Sequence, residues 1–331
     1  MVYIIVLNWN GWRDTIECLQ SLLALRSCSY RIVICDNDSS DDSLAHIGSW
    51  IGALPTEQTL FQEAERPMIT TIGGAYQFVD IQAQPWATPD PTFRFCLLQT
   101  GSNRGYGAGN NVGIDFALRD PQASALWILN NDVIVAPDSL TQLEAYAKKY
   151  PKAGIIGSKL MFYHNPNYIQ AIGAKFNTFF ATSTHLGQGE LDAGQFDDDV
   201  FAKELDYPVG AALFVPRLFI ESVGLLSEDY FLYFEEIDWA LRGKAHGWQI
   251  GYCWQSTVLH KEGASAGSHA NARFKSVLSD YYSLINRIVF TKKFYPNKIW
   301  SVKLGLLIAL LNRVRRGQLS RLSIIAKALV R

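Results

Sequence analysis

Three carboxylates, Glu235, Glu236 and Asp238, sit together where the aromatic run Tyr230 to Phe234 passes into a segment of helical spacing that continues to about His246. Carboxylates this close repel one another, and partial burial beside aromatic rings disfavours their charge, so at least one should titrate above the ordinary range. A group of that kind can serve as a general base. The plainer reading stays open: acidic residues in a first helical turn simply favour the helix dipole. The apolar run in front of them tilts the balance towards function.

Other polar motifs follow apolar runs. LWILNNDV delivers Asp132 from the end of a strand, where a carboxylate can bind a hard divalent cation and, through it, the two phosphates of a nucleoside diphosphate. His260 ends the run Ile250 to Leu259; a histidine so placed is usually structural, but beside Asp132 it would complete a cation site. In VICDNDSSDDS, Asp36 and Asn37 could meet a base edge or a ribose hydroxyl, or merely cap a turn. The glycines of Gly105-Tyr-Gly-Ala-Gly109 miss the G-x-G-x-x-G spacing and belong to the third strand unit, not the first. They are expected to let the backbone pass close to a nucleotide, not to hold a redox cofactor. The run Asp197 to Asp199 reads as a solvated loop.

Strands and helices must bring these residues together. Tyr3 to Leu7 is a β-branched run, followed by helical spacing from Asp14 to Leu25, then strands at Arg31 to Cys35, Phe93 to Leu98 and Ala125 to Leu129. GSNRGYGAGNN should be a loop opening a helix over Val112 to Leu118. Polar motifs thus recur after strand C-termini, where open α/β sheets bind ligands. Residues 52–92 show no clean period and read as an insertion. The expected organisation is a domain over 1–290, with a nucleotide half to 135 and an acceptor half over 136–290, then a tail over 291–331.

At 331 residues with ordinary apolar content, the chain can bury a large core. Its net charge of −1 hides an asymmetry: eleven of the 30 Lys and Arg fall between Arg287 and Arg331, and no acidic residue follows Asp280. Such a tail suits a polyanion, either an anionic membrane or nucleic acid. Five cysteines without C-x-x-C pairing fit a reducing compartment. The start, MVYIIVLNWNG, reads as a strand in place of a signal peptide.

In order, NWNG, CDNDSSDDS, NRGYGAGNN, LNNDV, PVGAALFVPR and FLYFEEIDWALRGKAHGW resemble the family 2 glycosyltransferases of the GT-A fold, and within them the bacterial rhamnosyltransferases of polysaccharide and O-antigen assembly. The motifs span residues 4 to about 262. The resemblance implies an α/β fold with a Rossmann-like, mostly parallel sheet flanked by helices, carrying a basic helical tail. It places Asn8 and Trp9 beside the base, Asp36 facing it, Asn103, Arg104 and Gly105 near the nucleotide, and Asn131 at the donor ribose. Asp132 matches the metal-binding last residue of the D-x-D motif, whose first two positions here are Asn130 and Asn131. The missing carboxylate makes His260, a metal ligand in some relatives, the natural second ligand. Glu235-Glu236 matches the E-D pair whose second residue is the base, with Asp238 a rival.

The activity so implied is an inverting transfer from a dTDP- or UDP-sugar to a glycan or lipid-linked acceptor, assisted by Mg2+ or Mn2+. Two other classes compete: a sugar nucleotidyltransferase, for which NWNGWRD lacks the Gly-rich basic loop, and a catalytically silent carbohydrate-binding protein. From Lys298 about fourteen mostly apolar residues fall short of a membrane span and then turn basic. An interfacial helix is expected there, with Arg313, Arg315, Arg316 and Arg321 at anionic headgroups on the cytoplasmic face of the membrane. Nucleic acid is not the expected partner; packing on the domain or a homo-oligomer interface are the alternatives for the tail.

Overall fold

The computed structural model describes residues 1–27, 29–60, 75–261, 276–315, 317 and 322–330. Cys28, residues 61–74 of the insertion, and Arg316 and Arg321 of the tail lie outside them. The strands are β1 (Val2–Asn8), β2 (Tyr30–Asp36), β3 (Gln77–Asp80), β4 (Phe95–Gln99), β5 (Ala125–Asn130), β6 (Val133–Val135), β7 (Ala153–Phe162), β8 (Asn165–Ala171), β9 (Ala174–Asn177), β10 (Thr182–His185), β11 (Ala212–Pro216) and β12 (Gln249–His260). The helices are α1 (Trp12–Leu23), α2 (Ser43–Gly52), α3 (Thr56–Thr59), α4 (Tyr106–Leu118), α5 (Ser139–Lys149), α6 (Arg217–Val223), α7 (Glu235–Ala245), α8 (Val277–Phe294), α9 (Ile299–Arg315) and α10 (Leu322–Val330).

One sheet runs β3-β4-β2-β1-β5-β11-β7-β12-β6, with β8 paired to β7. Its first five strands are parallel, and β11 enters antiparallel between β5 and β7. Successive β1 residues serve opposite faces: Tyr3 and Ile5 join the core under α4, Val2, Ile4 and Val6 the core under α1 and α2. The register aligns Asn8 with Asp36, Asp36 with Gln99, and Leu7 with Asn130. Every polar motif therefore leaves the sheet at one edge.

Two expectations change. Helix α4 begins at Tyr106, six residues early, because Gly109 and Gly113 are helical packing positions: a side chain on Gly113 would run into Cys35 and Ile5, and one on Gly109 into Leu7 and Asn37. The insertion contributes β3, a parallel edge strand on β4 too short to show a period. The acidic run is not merely solvated either. Asp197, with Asp192, neutralises the amine of Lys159, whose side chain is only 5% exposed, while Asp199 takes Lys149 and Tyr150.

The tail folds back. Leu284, Ile285 and Ile288 of α8 pack with Val302 and Leu306 of α9 and Ile324, Ile325 and Ala328 of α10, and Ala181 closes the cluster. No described helix is long and apolar enough to cross a membrane. Arg313 does not face outward as expected; it turns in to Asp280 at 2.6 Å, since a buried carboxylate left without a partner charge is costly. Helix α8 runs unbroken across position 290 and sets Phe290 among Phe176, Phe234 and Phe294. Phe290→Ala should cost about 3–5 kcal/mol, measured as a lower urea midpoint in a single unfolding transition.

Candidate active site

The loops leaving β1, β2 and β5 are tied by a buried polar chain. Asn8 Nδ2 donates to Asp36 Oδ2 at 2.7 Å and to Ser39 Oγ at 3.1 Å. Thr15 Oγ1 donates to Asn8 Oδ1, and Asn131 Nδ2 donates to Thr15 Oγ1 at 3.1 Å. Asp36 also accepts from the Ser39 amide at 3.0 Å. Asn8 and Asp36, expected beside the base, are thus fully buried and bonded within the protein, because carboxylate and amide groups at a sheet edge are satisfied most cheaply by the adjacent loop. They hold the floor in place. Arg104 leaves the site to pair with Glu228 at 2.5 Å.

Above that floor opens a cavity of about 600 Å³, lined among others by Trp9, Asn37, Asn103, Gly105, Asn131, Asp132, Glu235, Glu236 and His260. This is the size of a small-molecule site. Asn37 Nδ2 donates to Asn103 Oδ1 at 2.9 Å, and Asn103 Oδ1 also accepts the Gly105 amide at 3.0 Å. Gly105 has φ +97°, and a β-carbon there would strike the Phe231 carbonyl, whose oxygen accepts the Tyr106 amide at 2.8 Å. Only glycine fits this approach of the two loops.

Asp132 and His260 meet on the same wall. His260 Nε2 lies 3.3 Å from Asp132 Oδ1, with both side chains nearly buried. Gln170 Oε1, an acceptor, takes Nδ1 of the same ring at 2.8 Å. Nδ1 therefore carries a proton, and in the neutral ring Nε2 presents a lone pair to a carboxylate oxygen. Two acceptors facing each other call for a proton or a cation between them, so this donor set fits a divalent metal oriented from behind by Gln170. Among the described residues no group of three or more His, Cys, Asp or Glu forms a closed metal cage. A site of two protein ligands leaves positions open for diphosphate oxygens.

The three carboxylates separate into three environments. Asp238 is fully buried and clamped by Arg242 Nε at 2.6 Å, Lys293 Nζ at 2.7 Å and Tyr230 Oη at 3.0 Å. It does not line the cavity, so its candidacy as the base gives way to an anchoring ion pair. Glu235 is buried, its Oε1 without a hydrogen-bond partner, and burial followed by repulsion from Glu236 drives its pKa well up. Glu236 stays partly open to the cavity; burial raises its pKa too, while backbone amides, including that of Gly210, temper the shift. Tyr106, its phenol held protonated by burial and by both glutamates, donates to the Gly210 carbonyl at 2.7 Å.

Ahead of these glutamates, Tyr233 and Phe234 adopt φ of +71° and +79°. Asn286 of α8 grips the strained turn, donating to the carbonyls of Leu232 at 2.8 Å and Tyr233 at 3.3 Å, and Tyr233 Oη meets Ser279 Oγ at 2.5 Å. Gln170, Tyr106 and Asn286 escaped the sequence reading. Asn286 alone left a trace, as a buried amide in an apolar helical stretch.

Comparison with known proteins decides the family. The sequence model described as "Glycosyltransferase like family 2" matches residues 94–279, more than half of the chain. The chain belongs to this family. Among its relatives, a low-salt glycan biosynthesis hexosyltransferase of Haloferax volcanii is 22% identical over 246 residues, covering 72% of this chain and 74% of that protein. An N-acetylglucosaminyl-diphospho-decaprenol L-rhamnosyltransferase of Mycobacterium tuberculosis is 29% identical over 215 residues, covering 56% and 67%. Two solved structures share the fold of this glycosyltransferase. GalNAc-T7 with UDP, GalNAc and Mn2+ superposes with a TM-score of 0.54 at 12% identity, covering 78% of this chain and 43% of that one. The mannosyltransferase PcManGT from Pyrobaculum calidifontis, in complex with GDP-Man and Mn2+, also gives 0.54, at 13% identity and 99% and 86% coverage.

The site of the transferase makes a pH prediction. Because the folded-state pKa of Glu235 is raised, its contribution to stability is full below the ordinary glutamate value and is lost as pH rises through the folded value. Glu235→Gln should therefore leave the thermal midpoint unchanged near about pH 4 and raise it near about pH 8. A lower midpoint at the higher pH would mean that a cation compensates this carboxylate.

Proposed function

We propose that this glycosyltransferase moves a sugar from a nucleoside diphosphate donor to a lipid-linked glycan acceptor by a single displacement with inversion at the anomeric carbon. The observation that carries the reading is that a cavity-facing glutamate of raised pKa, Glu236, shares one pocket with the Asp132 and His260 pair. Glu236 accepts the proton of the acceptor hydroxyl as its oxygen bonds to the anomeric carbon, and the bond from that carbon to the diphosphate oxygen breaks with its electron pair leaving on the diphosphate. Asn131, Asn37 and the Asn103–Gly105 turn hold the nucleoside, with Trp9 as an apolar wall. Asp132 and His260 Nε2 are the residues that would hold Mg2+ or Mn2+, which when bound supplies positive charge to the departing diphosphate. A dTDP- or UDP-sugar, with rhamnose as the sugar, is the donor favoured by the motif likeness and by the mycobacterial relative.

The test is a thermal-shift series with UDP, dTDP and GDP, with and without Mn2+, joined to turnover. One diphosphate should raise the midpoint only with manganese, and Asp132→Ala should lose the rise. Glu236→Gln should keep it while transfer falls on the order of 10²–10⁴-fold. Turnover retained in that variant would move the base to Glu235.

The exposed face of α9 supports a membrane-adsorbed enzyme. Trp300, Leu304, Leu307, Ile308, Leu311 and Val314 recur at helical spacing and are all exposed, while Val302 and Leu306 on the other side are packed. Trp300 stacks edge-on against half-exposed Phe179, two residues before Ala181 of the cavity lining. The apolar strip thus reaches the mouth of the site, which suits an acceptor whose lipid stays in the cytoplasmic leaflet. Leu307→Glu with Leu311→Glu should release the protein from anionic vesicles in a flotation assay and leave its thermal midpoint within a few degrees. Undiminished flotation would refute the anchor. Point variants serve better than deletion from Lys298, which would uncover Leu284, Ile285 and Ile288.

A further inference from the structure

Arg287 lines the cavity from α8, and the use made of it is not explained by the donor or by the base. Its Nε donates to the Ser283 carbonyl at 3.3 Å, and no carboxylate among the described residues forms an ion pair with it. The acid nearest along its own helix, Asp280, is paired with Arg313 of α9, both of them largely buried. Asp280 also acts on Arg287 electrostatically, but its direct contact is with Arg313. Burial, and then the like charge of Arg313, disfavour the charged form of Arg287. A partly buried arginine ordinarily has an acidic partner, and a guanidinium that faces a cavity with no ion pair among the described residues can turn donors to an incoming anion. The planar fork of those donors matches a phosphate.

Placement selects which phosphate. The same cavity is lined by Leu278 and Ser283 of α8 and by Ala181 and the start of β10, and Ala181 also belongs to the apolar cluster of α8, α9 and α10. Asp132 and His260 instead come from the sheet edge, at the ends of β5 and β12. A phosphate on Arg287 would have an apolar path beside it, towards Phe179, Trp300 and the exposed strip of α9. We infer that Arg287 is the seat for the phosphate that joins the acceptor sugar to its lipid carrier. This rests on the transferase reading above, and it adds the residue that holds the acceptor's phosphate.

Isothermal titration of the full chain with farnesyl diphosphate, and separately with UDP, dTDP and GDP in Mn2+, tests it. Arg287→Met should weaken farnesyl diphosphate by about tenfold or more while the nucleoside diphosphate affinity is unchanged; if that variant loses its thermal transition, Arg287→Gln takes its place with the same expectation. No binding of farnesyl diphosphate to the wild type, or equal binding to the variant, overturns the seat. A fall in nucleoside diphosphate affinity alone assigns Arg287 to the donor and overturns the acceptor assignment. Inorganic diphosphate binding as tightly as the farnesyl compound, and losing as much in the variant, assigns a free phosphate and overturns the lipid one. Should no nucleoside diphosphate bind the wild type while farnesyl diphosphate still depends on Arg287, the donor reading fails and the seat stands.

Discussion

The grip of Asn286 on the carbonyls of Leu232 and Tyr233 is the contact on which the chemistry of this site rests. Two successive bulky residues in left-handed conformation cost on the order of 1–3 kcal/mol each, and nothing local in the sequence repays that. The repayment comes from α8: the Asn286 amide, the Ser279 hydroxyl, the stack of Tyr282 on Phe231 at 4.7 Å, and Phe290 against Phe234. The strained turn in its place starts α7 abruptly at Glu235. A relaxed backbone there would swing Glu235 and Glu236 together, since both sit in the first turn.

That abrupt start sets two electrostatic effects in opposition. The N-terminus of α7 favours negative charge, and exposed carboxylates there would titrate low. Burial opposes it, and for Glu235 and Glu236 burial prevails. Asp238, one turn on, is held by Arg242 and Lys293. Three acids within four residues thus become an ion-pair anchor, a buried carboxyl with a raised pKa and a carboxyl open to the cavity, a division made by surroundings and not by residue type.

The sequence disclosed the donor side well because parallel strands buried on both faces are apolar runs, and their polar ends mark the sheet edge without reference to anything distant. That is why the cavity-lining positions Trp9, Asn131 and Asp132 can be picked out from the sequence. Asn8 and Asp36, expected beside the base, are buried and bonded to Ser39, Thr15 and each other, contacts that sequence cannot tell from contacts to a ligand. The glycines of α4 looked like loop and were close-packing positions, a distinction that depends on where Ile5 and Cys35 stand. Gln170 was invisible: nothing near it shows that it lies behind His260, ninety residues away.

The other side of the cavity was illegible for a different physical reason. It is walled by β10, by loops, and by α8, whose polar contributions come singly from an otherwise apolar helix. The elements that decide what enters beside Glu236 are therefore those with the weakest sequence period and the longest chain separation from the motifs. Because α8 also secures the strained turn, a substitution on it acts on that turn and on the cavity wall at once. Asn286 and Arg287 are adjacent, one holding the backbone ahead of Glu235 and Glu236 and the other facing the cavity. A change in helix register at α8 would displace both together, so the shape of the cavity and the placement of Glu236 are mechanically one variable in this fold.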